Sequence, residues 1–296
     1  MRKIPFKQVV DEVAAICMKA AYDLPQDVLK RIQECFDQED SGRGKEFLRQ
    51  YLSNADIACK ERVPLCQDTG SLLFYIRCPD GFDISGLSAV IRFAVRQATQ
   101  QGYLRQNTFD SITGKVCGMN IGTGAPVIHA QYSKRQTVEI RLIMKGGGSE
   151  NVSVQYSLPD TRLCADRDLD GVRRCALDAV LKAQGNGCAP GVLGICIGGD
   201  RATGAECAKQ QFLRLLNDPA PERQLAQLEK RILKQANAMG IGPMGFGGTT
   251  TLLGVHIGAL SRIPACYFVS VAYMCWAFRR RGVVMRTNGR VHKWLY

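Results

Sequence analysis

The run Gly185-Asn186-Gly187-Cys188-Ala189-Pro190-Gly191-Val192-Leu193-Gly194-Ile195-Cys196-Ile197 passes from turn-forming residues into an almost unbroken apolar segment. Glycine and proline mark its first half as a turn. Residues 192–197 then read as a short buried strand, too short for a helix and rich in β-branched side chains. Residues 171–184 before it and 202–216 after it carry a helical spacing of apolar positions. A buried strand set between two helices predicts helices and sheet sharing one core.

Working outward, the first sixty residues predict helices. Phe6, Val9, Val10, Val13, Ile16 and Cys17 recur at helical spacing, and Val28, Leu29, Ile32 and Phe36 do so beyond the break at Leu24-Pro25. Phe47, Leu48, Tyr51 and Leu52 mark a third helix. The texture then changes. Residues 71–77 form an apolar run suited to a buried strand, and residues 85–101 read as a helix. Residues 136–145 place Val138, Ile140 and Leu142 on one face of a strand, with a second strand at 152–156. A helix over 222–238 and strands over 249–257 and 267–276 follow, and Asn288-Gly289 suits the turn of a terminal hairpin. There is no internal repeat, low-complexity tract or long linker. The expected fold is α+β: a single domain over residues 1–296 whose part up to residue 60 is mainly helical and whose remainder is mixed α/β.

Composition narrows the function. Of 296 residues, 46% are apolar and 22% charged, ordinary for a packed globular chain. No stretch reaches the roughly 18 consecutive apolar residues of a membrane span. Met1-Arg2-Lys3-Ile4-Pro5 runs straight into the first amphipathic pattern, without the apolar core of a signal peptide. A soluble cytoplasmic protein is the expectation, and in a reducing compartment the thirteen cysteines are not a disulfide framework. The net charge of +12 fits nucleic acid, an acidic partner or an anionic substrate. Arg279-Arg280-Arg281 and Arg173-Arg174 are the densest clusters, but no basic tail or aromatic-plus-basic module accompanies them, which argues against nucleic acid.

Glycine and cysteine point to the chemistry. The 30 glycines bunch at Gly122-Thr123-Gly124, Lys145-Gly146-Gly147-Gly148, Gly185-Asn186-Gly187, Gly198-Gly199 and across 240–248. Such bunches mark sharp turns or close approach of backbone to a ligand. None ends in the Gly-Lys-Ser/Thr of a phosphate-binding loop or fits GxGxxG between strand and helix, so a nucleotide site is disfavoured. Three cysteines stand apart by context. Cys66 lies in Pro64-Leu65-Cys66-Gln67-Asp68-Thr69-Gly70, a polar turn before an apolar strand; Cys188 lies in the turn already quoted; Cys275 ends an apolar run and precedes Trp276-Ala277-Phe278-Arg279-Arg280-Arg281. The other ten sit inside helical or strand patterns and read as core.

The runs PLCQDTG (64–70), KGGGSEN (145–151), CAPGVLG (188–194) and MCWAFRR (274–280), in this order, resemble the α-type portion of class I fumarases and L-tartrate dehydratases. The glycine-rich run at 240–248 is similar to that family's as well, so the matching blocks cover most of the chain.

The resemblance implies an iron–sulfur hydro-lyase of this α type. Cys66, Cys188 and Cys275 match the family's ligands to a 4Fe–4S cluster. Three thiolates on four irons leave one iron open as a Lewis acid toward the hydroxyl and carboxylate of a small hydroxy acid. Gln67 and Asp68 match residues used at the substrate, Asp68 as a catalytic group. Arg105 matches an arginine that grips a substrate carboxylate, a task suited to the planar guanidinium fork. Gly147 and Gly148 would let backbone amides approach the substrate. The expected activity is reversible hydration of fumarate to malate. L-tartrate dehydration is the alternative, and a non-catalytic iron–sulfur sensor a further one. The family's complete unit includes a β-type portion that this chain lacks, implying a separate β-type subunit and a hetero-oligomer. One position departs from the pattern: Ile263 stands where the family usually has histidine. His256, in an apolar run, reads as a core residue.

Overall fold

Amphipathic periodicity becomes helix, and apolar runs become strand, along nearly the whole chain. The computed structural model describes residues 6–296; residues 1–5, expected to lead directly into the first helix, lie outside them. In chain order the elements are α1 (Phe6–Tyr22), α2 (Gln26–Gln38), α3 (Gly42–Glu61), β1 (Ser71–Pro79), α4 (Ile84–Gln100), β2 (Val127–Ser133), β3 (Thr137–Lys145), α5 (Gly147–Asn151), β4 (Val154–Ser157), α6 (Leu169–Ala183), β5 (Gly191–Ile197), α7 (Arg201–Gln210), α8 (Arg223–Asn237), β6 (Leu252–Ala259), β7 (Phe268–Met274), β8 (Arg280–Arg286) and β9 (Val291–Leu295). This is the expected α+β order, helical at first and mixed thereafter. The chain divides into two compact units.

One unit comprises the chain up to Gln26, Asn54–Gly146 and Ala277–Tyr296. Its five-stranded sheet has the order β2-β1-β3-β8-β9, with β1 parallel to β2 and the other pairs antiparallel. Alternate residues Leu72, Phe74, Ile76 and Cys78 of β1 and Val138, Ile140, Leu142 and Met144 of β3 join Val13, Ile16, Cys17 and Ala20 of α1 and Leu87, Val90, Ile91 and Ala94 of α4 in one buried cluster. The period of two along the strands and of 3.6 along the helices puts these residues on facing surfaces. Asp83 caps α4 by accepting from Gly86 N–H.

The second unit comprises Asp27–Ser53 and Gly147–Trp276. Its four-stranded sheet has the order β4-β7-β5-β6, with β5 parallel to β6 and antiparallel to β7. The opening stretch explains the position of β5: every residue in it is buried, as a continuous apolar run requires of an inner strand covered on both faces. Leu193, Ile195 and Ile197 pack with Val172, Cys175, Ala176 and Ala179 of α6 and Leu228 and Ile232 of α8. The other face admits the backbone of α7, because a Cβ on Gly194 would collide with the Ala208 carbonyl. Asp168 caps α6, and Asp200 with Thr203 forms a capping box on α7.

Two element ends differ from expectation. The helix expected over 202–216 ends at Gln210 and gives way to a 3-10 turn at Gln211–Leu213. The strand expected from residue 249 begins at Leu252, because side chains take the N–H groups ahead of it: Glu39 accepts from Thr249 and Thr250, and Asn237 accepts from Thr251 and Leu252. The side chains of the arginine run at 279–281 are all buried where the chain enters β8.

Candidate active site

In the first unit, the turn carrying Cys66, Gln67 and Asp68 is anchored at both ends. Leu65, buried, donates its N–H to Ala21 O (2.8 Å), and its carbonyl accepts from Asn54 Nδ2 (3.2 Å). Asp68 Oδ1 accepts from the Gly70 N–H (2.8 Å), the Asx geometry that its place before Thr-Gly suggests, and also from Asn107 Nδ2 (2.9 Å). Gly70 has φ +72°, and a Cβ there would collide with the Lys145 carbonyl, so only glycine lets the turn lie against the end of β3.

The segment bearing Arg105 is tied to the same turn. Thr69 Oγ1 and Asn120 Nδ2 both donate to the Arg105 carbonyl (2.8 and 3.0 Å), and Asn120 Oδ1 accepts from Asn107 N–H (2.7 Å). Backbone and side chain therefore divide their work: the Arg105 main chain is fixed while its guanidinium is exposed, as is the Gln67 side chain. Arg279, which sequence reasoning did not single out, completes this half. Its side chain is 1% exposed, and Nη2 donates to the Asp68 carbonyl at 2.7 Å. The only advance signal was three consecutive arginines close behind Cys275.

In the second unit, Cys188 occupies the left-handed region at φ +56°. Its N–H donates to Gly185 O (3.0 Å), and its carbonyl accepts from the Trp276 N–H (3.2 Å). One backbone hydrogen bond thus joins the turn of Cys188 to the residue after Cys275. Two tyrosines frame the pair. Tyr51 donates its hydroxyl to Ala189 O (3.2 Å) and stacks on Trp276 with centroids 4.2 Å apart. Tyr273 runs along β7 beneath the turn; a Cβ on Gly187 would lie 2.5 Å from its ring, and one on Gly191 would overlap it. Burial pushes the pKa of both hydroxyls up, and the neighbouring thiols of Cys188 and Cys275 add to the effect.

Gly147 and Gly148 are exposed at the start of α5. A Cβ on Gly148 would lie 3.1 Å from the Asn186 carbonyl, so this glycine run borders the Cys188 turn. Ser153, just beyond α5, accepts from the Tyr273 N–H (3.1 Å) and donates to Ser149 O (2.9 Å). The candidate residues therefore gather in two groups, Cys66, Gln67, Asp68 and Arg105 in one unit and Gly147, Gly148, Cys188 and Cys275 in the other.

Residues 10–284 match the model of the fumarate hydratase (fumerase) family. The chain belongs to this family. It is 44% identical, over 98% of its length, to a Geobacillus stearothermophilus protein named for class I fumarate hydratase, and spans only 57% of that protein. A Methanocaldococcus jannaschii protein named for the alpha subunit of L(+)-tartrate dehydratase is 32% identical over 92% of this chain and 96% of its own length. The L(+)-tartrate dehydratase subunit alpha of Escherichia coli K12 is 30% identical over 90% of this chain and 86% of its own.

An iron–sulfur cluster is the group this fumerase family implies, and the fit can be tested on the residues themselves. Among the described residues, no three of His, Cys, Asp and Glu are grouped to hold a single metal ion. A single tetrahedral ion draws its sulfurs to about 4 Å of one another, given metal–sulfur bonds of about 2.3 Å. A cubane spreads its thiolates, each on a different iron. The second unit suits the latter: two cysteines on turns linked by one backbone bond, outside any ladder, with the Tyr273 hydroxyl buried and unpartnered beside them.

His256 is 1% exposed within β6, opposite Gly194 of β5, as a core residue. Ile263 is 65% exposed, in the loop whose Pro264 and Ala265 carbonyls accept from Arg167.

Proposed function

We propose that this chain is the α-type part of a 4Fe–4S hydro-lyase that reversibly hydrates fumarate to malate. The observation that carries the reading is 44% identity, over 98% of the chain, to a protein named for class I fumarate hydratase. Cys66, Cys188 and Cys275 would hold the cluster. When bound, it supplies a Lewis-acidic iron that eases departure of hydroxide, a poor leaving group, from carbon.

The chain's own residues bind and orient. The exposed Arg105 guanidinium takes a substrate carboxylate bidentately, its backbone held by Thr69 and Asn120. Gln67, exposed in the neighbouring turn, donates to the same acid. The Asp68 carboxylate, braced by Gly70 N–H and the Asn107 amide, orients the water that adds, taking one of its protons in hydration and returning it to the departing hydroxyl in dehydration. Gly147 and Gly148, bare of side chains, let backbone N–H groups approach the second carboxylate. The high positive charge favours a dianionic substrate.

A β-type portion, here read as a separate subunit in a hetero-oligomer, supplies the remaining groups; the naming of two relatives for the alpha subunit of L(+)-tartrate dehydratase supports this. A cytoplasmic setting keeps the thirteen cysteines reduced, and no helix of the described residues is long and apolar enough to cross a membrane.

L(+)-tartrate dehydration is the second reading. It is favoured by coverage, since the chain spans 96% and 86% of two proteins named for that enzyme's alpha subunit. Anaerobic co-purification with the β-type partner and assay on fumarate, malate and L(+)-tartrate decides between them. Turnover of fumarate and malate above tartrate is expected. Turnover of tartrate alone establishes the second reading, and a loaded complex inert on every dicarboxylate refutes both.

A further inference from the structure

Tyr273 presents a buried donor that nothing among the described residues accepts. The residue is 2% exposed, at the end of β7 and two positions before Cys275. Its backbone N–H is satisfied by Ser153 Oγ, yet its hydroxyl oxygen is fully buried without a hydrogen-bond partner. An unsatisfied buried hydroxyl destabilises the fold, and proteins seldom keep one without use. The surroundings are arranged to keep it. Gly187 and Gly191, one on either side of Cys188 in sequence, leave the room that the ring and hydroxyl fill, and a methyl group at either would overlap the tyrosine. The polar groups acting on the hydroxyl are Cys275, Cys188 and Tyr51. Tyr51 is already committed to the Ala189 carbonyl.

We propose that the Tyr273 hydroxyl is a positioning and tuning donor for the cluster held by Cys188 and Cys275, giving its hydrogen bond to a sulfur of that site. The assignment rests on the cluster reading above. A donor aimed at sulfur withdraws electron density and favours the reduced state, so it raises the reduction potential and shields the sulfur from oxidation. The phenylalanine variant keeps the ring that the glycines accommodate and removes only the donor.

The test uses the anaerobically purified holoprotein, wild type and Tyr273→Phe, titrated redox-potentiometrically with EPR detection. At equal iron and sulfide content, the variant's midpoint is expected at a more negative potential, with faster bleaching in air. An unchanged midpoint overturns the proposal. Thermal unfolding of the two apoproteins gives an independent readout: equal or higher stability for the variant is expected, because no protein partner is lost. A clearly destabilised variant apoprotein means that the hydroxyl already has a partner, and also overturns it. A wild-type protein that binds no cluster refutes the cofactor reading itself, an outcome distinct from either.

Discussion

The Trp276 N–H donates to the Cys188 carbonyl at 3.2 Å, across 88 positions of sequence. Tyr51 stacks on the Trp276 ring and bonds the next carbonyl, that of Ala189. Two cysteine turns are thereby fixed to one another by backbone and aromatic contacts.

The Gly187→Ala substitution tests that rigidity. The added methyl would stand 2.5 Å from Tyr273 Cε1 and 2.8 Å from Cδ1. Overpacking of this kind costs about 1–3 kcal/mol. A lowered unfolding midpoint together with reduced iron retention is expected. Gly42→Ala, at the open start of α3 where nothing lies within 4 Å, should leave both unchanged.

Arg105→Lys separates binding from folding. Thr69 and Asn120 use only the main-chain carbonyl of Arg105, so lysine leaves these bonds intact. The unfolding midpoint should not move. Loss of a bidentate charge-assisted contact, worth about 1.5–3 kcal/mol, should raise the KM for the dicarboxylate by roughly ten- to a hundredfold. Equal KM values would remove Arg105 from the site.

Glu39 makes stability pH-dependent. It is buried and accepts from the N–H groups of Ser41, Thr249 and Thr250. Burial pushes its pKa up, but these donors and the Thr250 hydroxyl outweigh it and hold the carboxyl below the ordinary 4.5. The stability this contributes is complete above about pH 4.5 and is lost as pH falls through the lower folded value. Glu39→Gln should therefore be less stable than wild type at neutral pH, with the gap closing in acid. A pH-independent gap in urea unfolding contradicts this.

The legible parts of the fold were those with strong periodicity. Val9, Val13 and Ile16 of α1 and the alternation of Val138, Ile140 and Leu142 in β3 declared themselves because one face of each is buried. β2 escaped notice, since none of its residues is fully buried and no clean alternation results. α5 is only five residues long and opens on two glycines, so local propensity pointed to a loop. The burial of Arg279, Arg280 and Arg281 was not legible because their partners are remote: Asp23 for Arg281, the rings of Phe278 and Tyr296 for Arg280, the Asp68 carbonyl for Arg279. The two units left no linker signature, because the chain crosses at the start of α2, within α3, and between adjacent residues at 146–147 and 276–277.

The candidate site divides in the same way. Cysteines in glycine- and proline-marked turns stand out locally. Tyr273 and Arg279 do not, for their meaning lies in what surrounds them: glycines 187 and 191 for one, the turn of Asp68 for the other.

Iron and acid-labile sulfide, measured per chain on anaerobically purified wild type and on Cys66→Ser, Cys188→Ser and Cys275→Ser, test the central claim most directly. One 4Fe–4S cluster is expected in wild type and in the exposed-cysteine controls Cys59→Ser and Cys164→Ser, with loss in each of the first three variants. Full cluster content in any one of those three, or none in wild type, would contradict the account.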